Sequence, residues 1–192
     1  MPESTKGPRY SVLHDYGAFE LREYGPGVCA ETTVEGDFRG GWAEGFTRLE
    51  GYLLGANSEG KAIALTAPIA QQGAEGDGRA SPAREYVGGR GRWRLWCSLP
   101  REGSVEAMPR PRDERVRLRP AARARFAALS CHGPLPDWRL ERKVGELLER
   151  LAEHGLSPAG DPVVTHFGTP VIASTLERRD VLVPVEFAPA AE

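Results

Sequence analysis

Cys131 and His132 stand side by side, just ahead of a Gly133-Pro134 step. Thiolate and imidazole are strong side-chain donors to soft and borderline metal ions. A helix predicted to begin a few residues later would favour the thiolate through its N-terminal dipole. His132 is therefore the candidate metal ligand, with Cys131 beside it. The plainer reading of the pair is a turn histidine next to a half-buried thiol. His14 and His166 are secondary candidates near strand ends, and His154 suits a cation at a helix C-terminus. Asp180 is the candidate acid–base group, because a buried carboxylate with a raised pKa can take a proton. Its competing reading is an ion pair with Arg178, Arg179 or Arg22. Trp42 and Phe46, four residues apart, present flat aromatic surface either to a planar ligand or to the chain's own core. Arg39, Arg48 and Lys61 are the cations nearby in sequence.

Other catalytic signatures are missing. There is no Gly-x-Ser-x-Gly, no His-Glu-x-x-His and no phosphate-cradling glycine loop ahead of a helix. The three cysteines, Cys29, Cys97 and Cys131, are far apart and form no Cys-x-x-Cys. A disulfide framework, a structural zinc site and covalent c-type haem attachment are thus disfavoured. With 25 basic and 27 acidic residues the net charge is −2, so no global field draws the chain to nucleic acid or to an anionic membrane. No apolar run reaches membrane-spanning length, and residues 1–6 lack the apolar core of a signal peptide. A cytoplasmic chain is the expectation, and without a catalytic signature an enzyme is the less favoured reading.

Positioning these groups requires a scaffold, and the apolar pattern outlines one. Residues 10–14 and 19–24 read as a strand pair around a turn at Asp15-Tyr16-Gly17. Val28, Ala30, Thr32 and Val34 alternate with polar neighbours, as in a half-buried strand. Asp37 caps a helix with Trp42, Phe46, Leu49 and Leu53 on one face. Gly45 and Gly51 inside it cost about 1 kcal/mol each relative to Ala, so close packing should compensate. Residues 61–69 read as a strand and residues 71–91, rich in Gly, Arg and Ala, as a long loop that could form a lid. Trp93, Leu95, Cys97 and Leu99 alternate with Arg92, Arg94 and Trp96 in a further strand. After a loop at Pro109 to Asp113 the order repeats: a strand at 123–131, a helix at 138–154 capped by Asp137, and strands at 163–167 and 181–187. Pro184 suggests an edge or a bulge in the last strand. Trp42, Phe46, Leu49 and Leu53 match Trp138, Val144, Leu147 and Leu151 in approximate spacing.

The expected fold is therefore α+β: a duplicated strand–helix–strand–strand unit, packed about a pseudo-twofold axis into a distorted, mostly antiparallel β-barrel with two main helices. One domain spans 10–187, with halves at about 10–100 and 115–187. Residues 1–9 and 188–192 are expected to be tails. A groove where the halves meet is a natural ligand site.

Several motifs, taken in order, resemble the SOUL family of haem-binding proteins. They are Phe19 to Tyr24; Gly45-Phe46 with Leu49, Tyr52, Gly55 and Asn57; Lys61 to Pro68; Trp93 to Trp96; Pro109 to Asp113; and Leu176 to Val181. The resemblance implies the doubled barrel, shared with GyrI-like effector-binding domains. It also implies reversible binding of haem or a related tetrapyrrole in an apolar cleft beside the first helix. By that analogy Trp42 and Phe46 line the cleft and Leu65 stands where the family often has Met, while Arg39, Arg48 and Lys61, nearby in sequence, could substitute as the cations for the carboxylates. Arg178 matches an arginine of the family's closing motif. His132 and Cys131 become candidates for the haem iron. Two basic positions of the family's helix fall on Ala43 and Gly51, which cannot pair a carboxylate. GyrI-like kinship carries a second expectation, a small-molecule binder or hydrolase using Asp180. A non-catalytic protein-interaction module is the third.

Overall fold

The computed structural model describes residues 10–64, 68–74, 91–100, 104–133, 135–167 and 178–186. Among these described residues nine strands and two α-helices follow one another. They are β1 Tyr10–Asp15, β2 Glu20–Tyr24, β3 Gly27–Gly36, α1 Phe38–Leu53, β4 Ile69–Gly73, β5 Gly91–Ser98, β6 Val116–Ala121, β7 Ala124–His132, α2 Asp137–Glu153, β8 Val163–His166 and β9 Arg178–Pro184. All strand pairs are antiparallel, and one curled half-barrel sheet contains them in the order β1-β2-β7-β9-β8-β4-β5-β3-β6.

That order is a palindrome about the β4–β8 pair. Outward from it lie β5, β3 and β6 on one side and β9, β7 and β2 on the other, with β1 added beyond β2. The repeated units are β3-α1-β4-β5 and β7-α2-β8-β9, so the duplication expected from the sequence is present. Ile69, Ala70 and Gln71 pair with His166, Thr165 and Val164 across the junction. Backbone hydrogen bonds thus fuse the two halves into one sheet, as burial of two otherwise incomplete units demands.

Each helix lays its apolar stripe on the sheet. Phe38, Trp42, Phe46, Leu49 and Leu53 of α1 and Leu140, Val144, Leu147 and Leu151 of α2 are buried in one large core. Trp138 is 63% exposed, so the repeat partner of Trp42 is Leu140, at matched spacing along both stripes. The Asp37 carboxylate accepts the Gly40 N–H at 2.7 Å and caps α1 as expected. Past its end Gly55 turns with φ +112, and the buried Asn57 amide donates to the carbonyls of Tyr52 and Lys61 at 3.2 and 2.7 Å.

Several expectations need correction. Residues 61–64 form no strand; the Asn57 bonds and the Ile63 N–H to Leu53 carbonyl bond at 2.7 Å fold them back on α1. The strand begins at Ile69 and takes in Gln71 to Gly73, which read as loop. Of the loop expected at 71–91, residues 75–90 lie outside the described residues, as do the two expected tails at 1–9 and 188–192. Asp137 is the first helical residue rather than the cap of α2, and Pro136 precedes it with no side-chain cap bond. Strand β6 went unread because Arg117, Arg119 and Pro120 interrupt its pattern, as suits a sheet edge. Strand β9 is interior, and Pro184 is tolerated because it ends the strand.

Candidate functional site

Alternation along each strand gives the sheet two different faces. Trp93 and Leu95 of β5 meet α1, closely enough that a methyl at Gly41 or Gly45 would come within 2.8 or 2.6 Å of them. The intervening residues, Arg94 and Trp96, point to the face that carries no helix. There a second, smaller apolar cluster gathers Ala70, Ala128, Val163 and Leu182, with Tyr24, Trp96 and Phe126 packed against it.

Around this cluster runs a groove of about 380 Å³, lined mostly by apolar groups. Its floor crosses the pseudo-twofold axis through Ala70 and Gln72 of β4 and Val163 and Thr165 of β8. One wall carries Trp96 and Arg94, the other Tyr10, Tyr24 and Phe126. Phe167 stands beyond β8, and the β2–β3 and β6–β7 links close an end with Pro26 and Ala122. Tyr24 meets Tyr10 at 5.3 Å and Phe126 edge-on at 5.4 Å, which fixes the aromatic wall. Burial pushes the Tyr24 hydroxyl up to about 12, so it stays a neutral donor. The Arg94 guanidinium lies 4.8 Å over the Trp96 ring and donates to Glu31 at 2.9 Å. This is the size and character of a small-molecule site, apolar with a few convergent polar groups.

Behind the tyrosine wall lies a buried ionic cluster. Arg22 and Asp180 are 2% and 1% exposed, and Arg22 Nη1 donates to Asp180 Oδ2 at 2.6 Å. Arg22 also donates to Glu20 at 2.6 Å and lies 4.3 Å under the Tyr10 ring. Arg178 clasps the same carboxylate, Nε to Oδ1 at 3.1 Å and Nη2 to Oδ2 at 3.0 Å. Burial alone would lower the Arg22 pKa, but the Asp180 hydrogen bond and charge raise it above the ordinary arginine value. Breaking such a pair leaves an uncompensated charge at a cost of about 3–5 kcal/mol. Both Asp180 oxygens are occupied, so its place here is that of an ion-pair partner, one of the two readings open in the sequence.

The remaining candidates are scattered. Trp42 and Phe46 face the helix-side core, each 7% exposed, and Trp42 stacks on His166 at 3.8 Å. Neither lines the groove, because their i, i+4 spacing places both on the sheet-facing stripe of α1. Arg39 pairs with Asp137 at 3.0 Å, linking the N-termini of the two helices, and Lys61 pairs with Glu59 at 3.1 Å on the surface. Arg48 donates to Glu44 and, at 2.9 Å, to the Thr33 carbonyl. Leu65 lies outside the described residues. Cys131 and His132, as strand neighbours, point to opposite faces. Cys131 is buried and its pKa is raised by desolvation, while His132 is exposed. They do not converge on one metal position. No cluster of three or more metal-ligating side chains occurs among the described residues. Trp96, Arg94, Tyr24 and Phe126 line the groove, although the sequence marks none of them as a binding residue. Its one usable signal was a tryptophan in the polar phase of an alternating strand.

A family model described as SOUL heme-binding protein matches residues 5–184. Over 54 residues the chain is 43% identical to Heme-binding protein 2 of Mus musculus, covering 28% of this chain and 26% of that protein. Over 63 residues it is 36% identical to Heme-binding protein 2 of Homo sapiens, covering 32% and 31%. The matched stretches span less than a third of these curated relatives. Among solved structures, the EcmrR C-terminal domain superposes with a TM-score of 0.64 at 12% identity, covering 93% of this chain and 99% of that one. A hydrolase encoded by lin2189 from Listeria innocua gives 0.57 at 12% identity, covering 89% and 94%. At such identities the likeness is one of fold.

Proposed function

The chain belongs to the SOUL heme-binding protein family, and on that premise we propose that its helix-free groove holds haem or a related flat tetrapyrrole, reversibly and without catalysis. The observation that carries this reading is the aromatic-walled groove across the pseudo-twofold axis, with Trp96 facing Tyr24 and Phe126. The residues fit the macrocycle: flat rings and small floor residues give apolar contact at roughly 25 cal/mol per Å². Arg94, at the groove wall, would take a carboxylate of the ligand. The lining offers the iron little. Among the described residues it contains no histidine, its one thiol, Cys29, is held protonated by burial and the nearby Glu31 charge, and burial likewise keeps the Tyr24 phenol neutral. Haem would supply a flat hydrophobic dianion rather than iron chemistry. Buffering or delivery of the pigment is the role that weak, ligand-free retention suits.

Hemin titration tests this. The expected result is a saturable shift of the Soret band at one equivalent, with metal-free protoporphyrin bound within about threefold of hemin. A linear response matching that of an unrelated control protein would reject the proposal.

A further inference from the structure

The charge around the groove is one-sided. Arg94 is the one charged side chain among the described residues that line it. The carboxylate on the same face of β9, Asp180, is shared between Arg22 and Arg178. Arg178 has a second contact: its guanidinium lies 4.5 Å over the Phe167 ring, and Phe167 lines the groove. The Arg178 side chain is 35% exposed, whereas that of Asp180 is 1% exposed. A ligand edge reaching Phe167 therefore meets a guanidinium and not the acid beneath it.

We propose that the groove selects flat aromatic anions over flat aromatic cations, and that Arg178 is the residue that sets this preference. The inference rests on the groove being the ligand site and adds the sign of the charge that it accepts. Arg178 acts twice, by covering Asp180 and by placing positive charge against Phe167. Without it Asp180 Oδ1 loses the guanidinium bonded to it, the Phe167 end loses its cation, and the linked Arg22, Asp180 and Glu20 are left with one excess negative charge. Arg22, held by both Asp180 and Glu20, cannot restore the balance.

Fluorescein and rhodamine 6G share a xanthene ring and carry opposite charges, so their affinities isolate the charge term. By fluorescence anisotropy at low salt, the wild-type chain is expected to bind fluorescein about tenfold more tightly than rhodamine 6G. Raising salt should weaken fluorescein and strengthen rhodamine 6G. Arg178→Gln should erase or invert the ratio, and Arg178→Lys should keep most of it. Equal or tighter binding of rhodamine 6G by the wild-type chain overturns the proposal. So does binding of neither dye, or an unchanged ratio in a folded Arg178→Gln chain. Should that variant fail to fold, the opposed salt responses of the wild-type chain decide alone. Hemin failing to bind while the dye preference holds would reject the tetrapyrrole reading and leave the charge preference standing.

Discussion

The His166 imidazole lies flat against the Trp42 indole, at 10° between planes, and neither ring nitrogen has a hydrogen-bond partner among the described residues. Burial, reinforced by the charge of Arg179 on the paired strand, holds its pKa well below the usual histidine value. The folded chain keeps this ring neutral, while the unfolded chain protonates it near pH 6.5. Stability from this group is therefore complete above about pH 6.5 and is lost as pH falls below it. The slope approaches about 1.4 kcal/mol per pH unit. Urea midpoints measured from pH 7.5 down to 5.0 should show the decline, and His166→Phe should flatten it. An equal slope in both chains would place the acid sensitivity elsewhere. The sequence exposed this histidine only as a secondary metal candidate. Its stacking partner sits more than a hundred residues away, beyond the reach of any local pattern.

At the scale of elements, the glycines of α1 separate two roles that composition alone does not distinguish. A methyl at Gly45 would lie 2.6 Å from Leu95, whereas one at Gly51 meets nothing within 4 Å. Gly45→Ala should cost roughly 1–3 kcal/mol by overpacking. Gly51→Ala should stabilise by about 0.5–1 kcal/mol through helix propensity. Thermal and urea unfolding of the two variants measure the difference. A neutral Gly45→Ala would mean that α1 sits further from the sheet. Helices were legible because their stripes repeat at 3.6 residues and their stops are chemical, as at Asp37, Gly55 and Gly155. Strand edges were less so. The Lys61 to Ala64 segment is apolar enough for a strand, but hydrogen bonds to the Asn57 side chain and the Leu53 carbonyl claim its backbone first. Strand β6 was hidden by the arginines and proline that protect an edge from pairing.

In the whole molecule, the two faces of the sheet divide the labour. The helix side is filled by the chain's own stripes, and the opposite face keeps the aromatic groove. Trp96→Ala should weaken hemin binding about tenfold with little change in melting temperature. Trp42→Ala should cost about 3–5 kcal/mol of stability and leave the affinity of the folded chain unchanged. Titration and unfolding of both variants check this, and the reverse pattern would return the ligand to the first helix. The amino-acid order alone determined the duplicated unit, the two helix stripes and the family, because periodicity and motif spacing are local properties of the chain. Which face of the sheet stays open was decided only on folding. Each strand offers two candidate surfaces, and helices joined to it through distant residues choose which one to cover. For the same reason Asp180 became an ion-pair partner and Trp42 a core residue: Arg22 and His166 reach them from the other half of the chain, across a seam that a linear pattern does not contain.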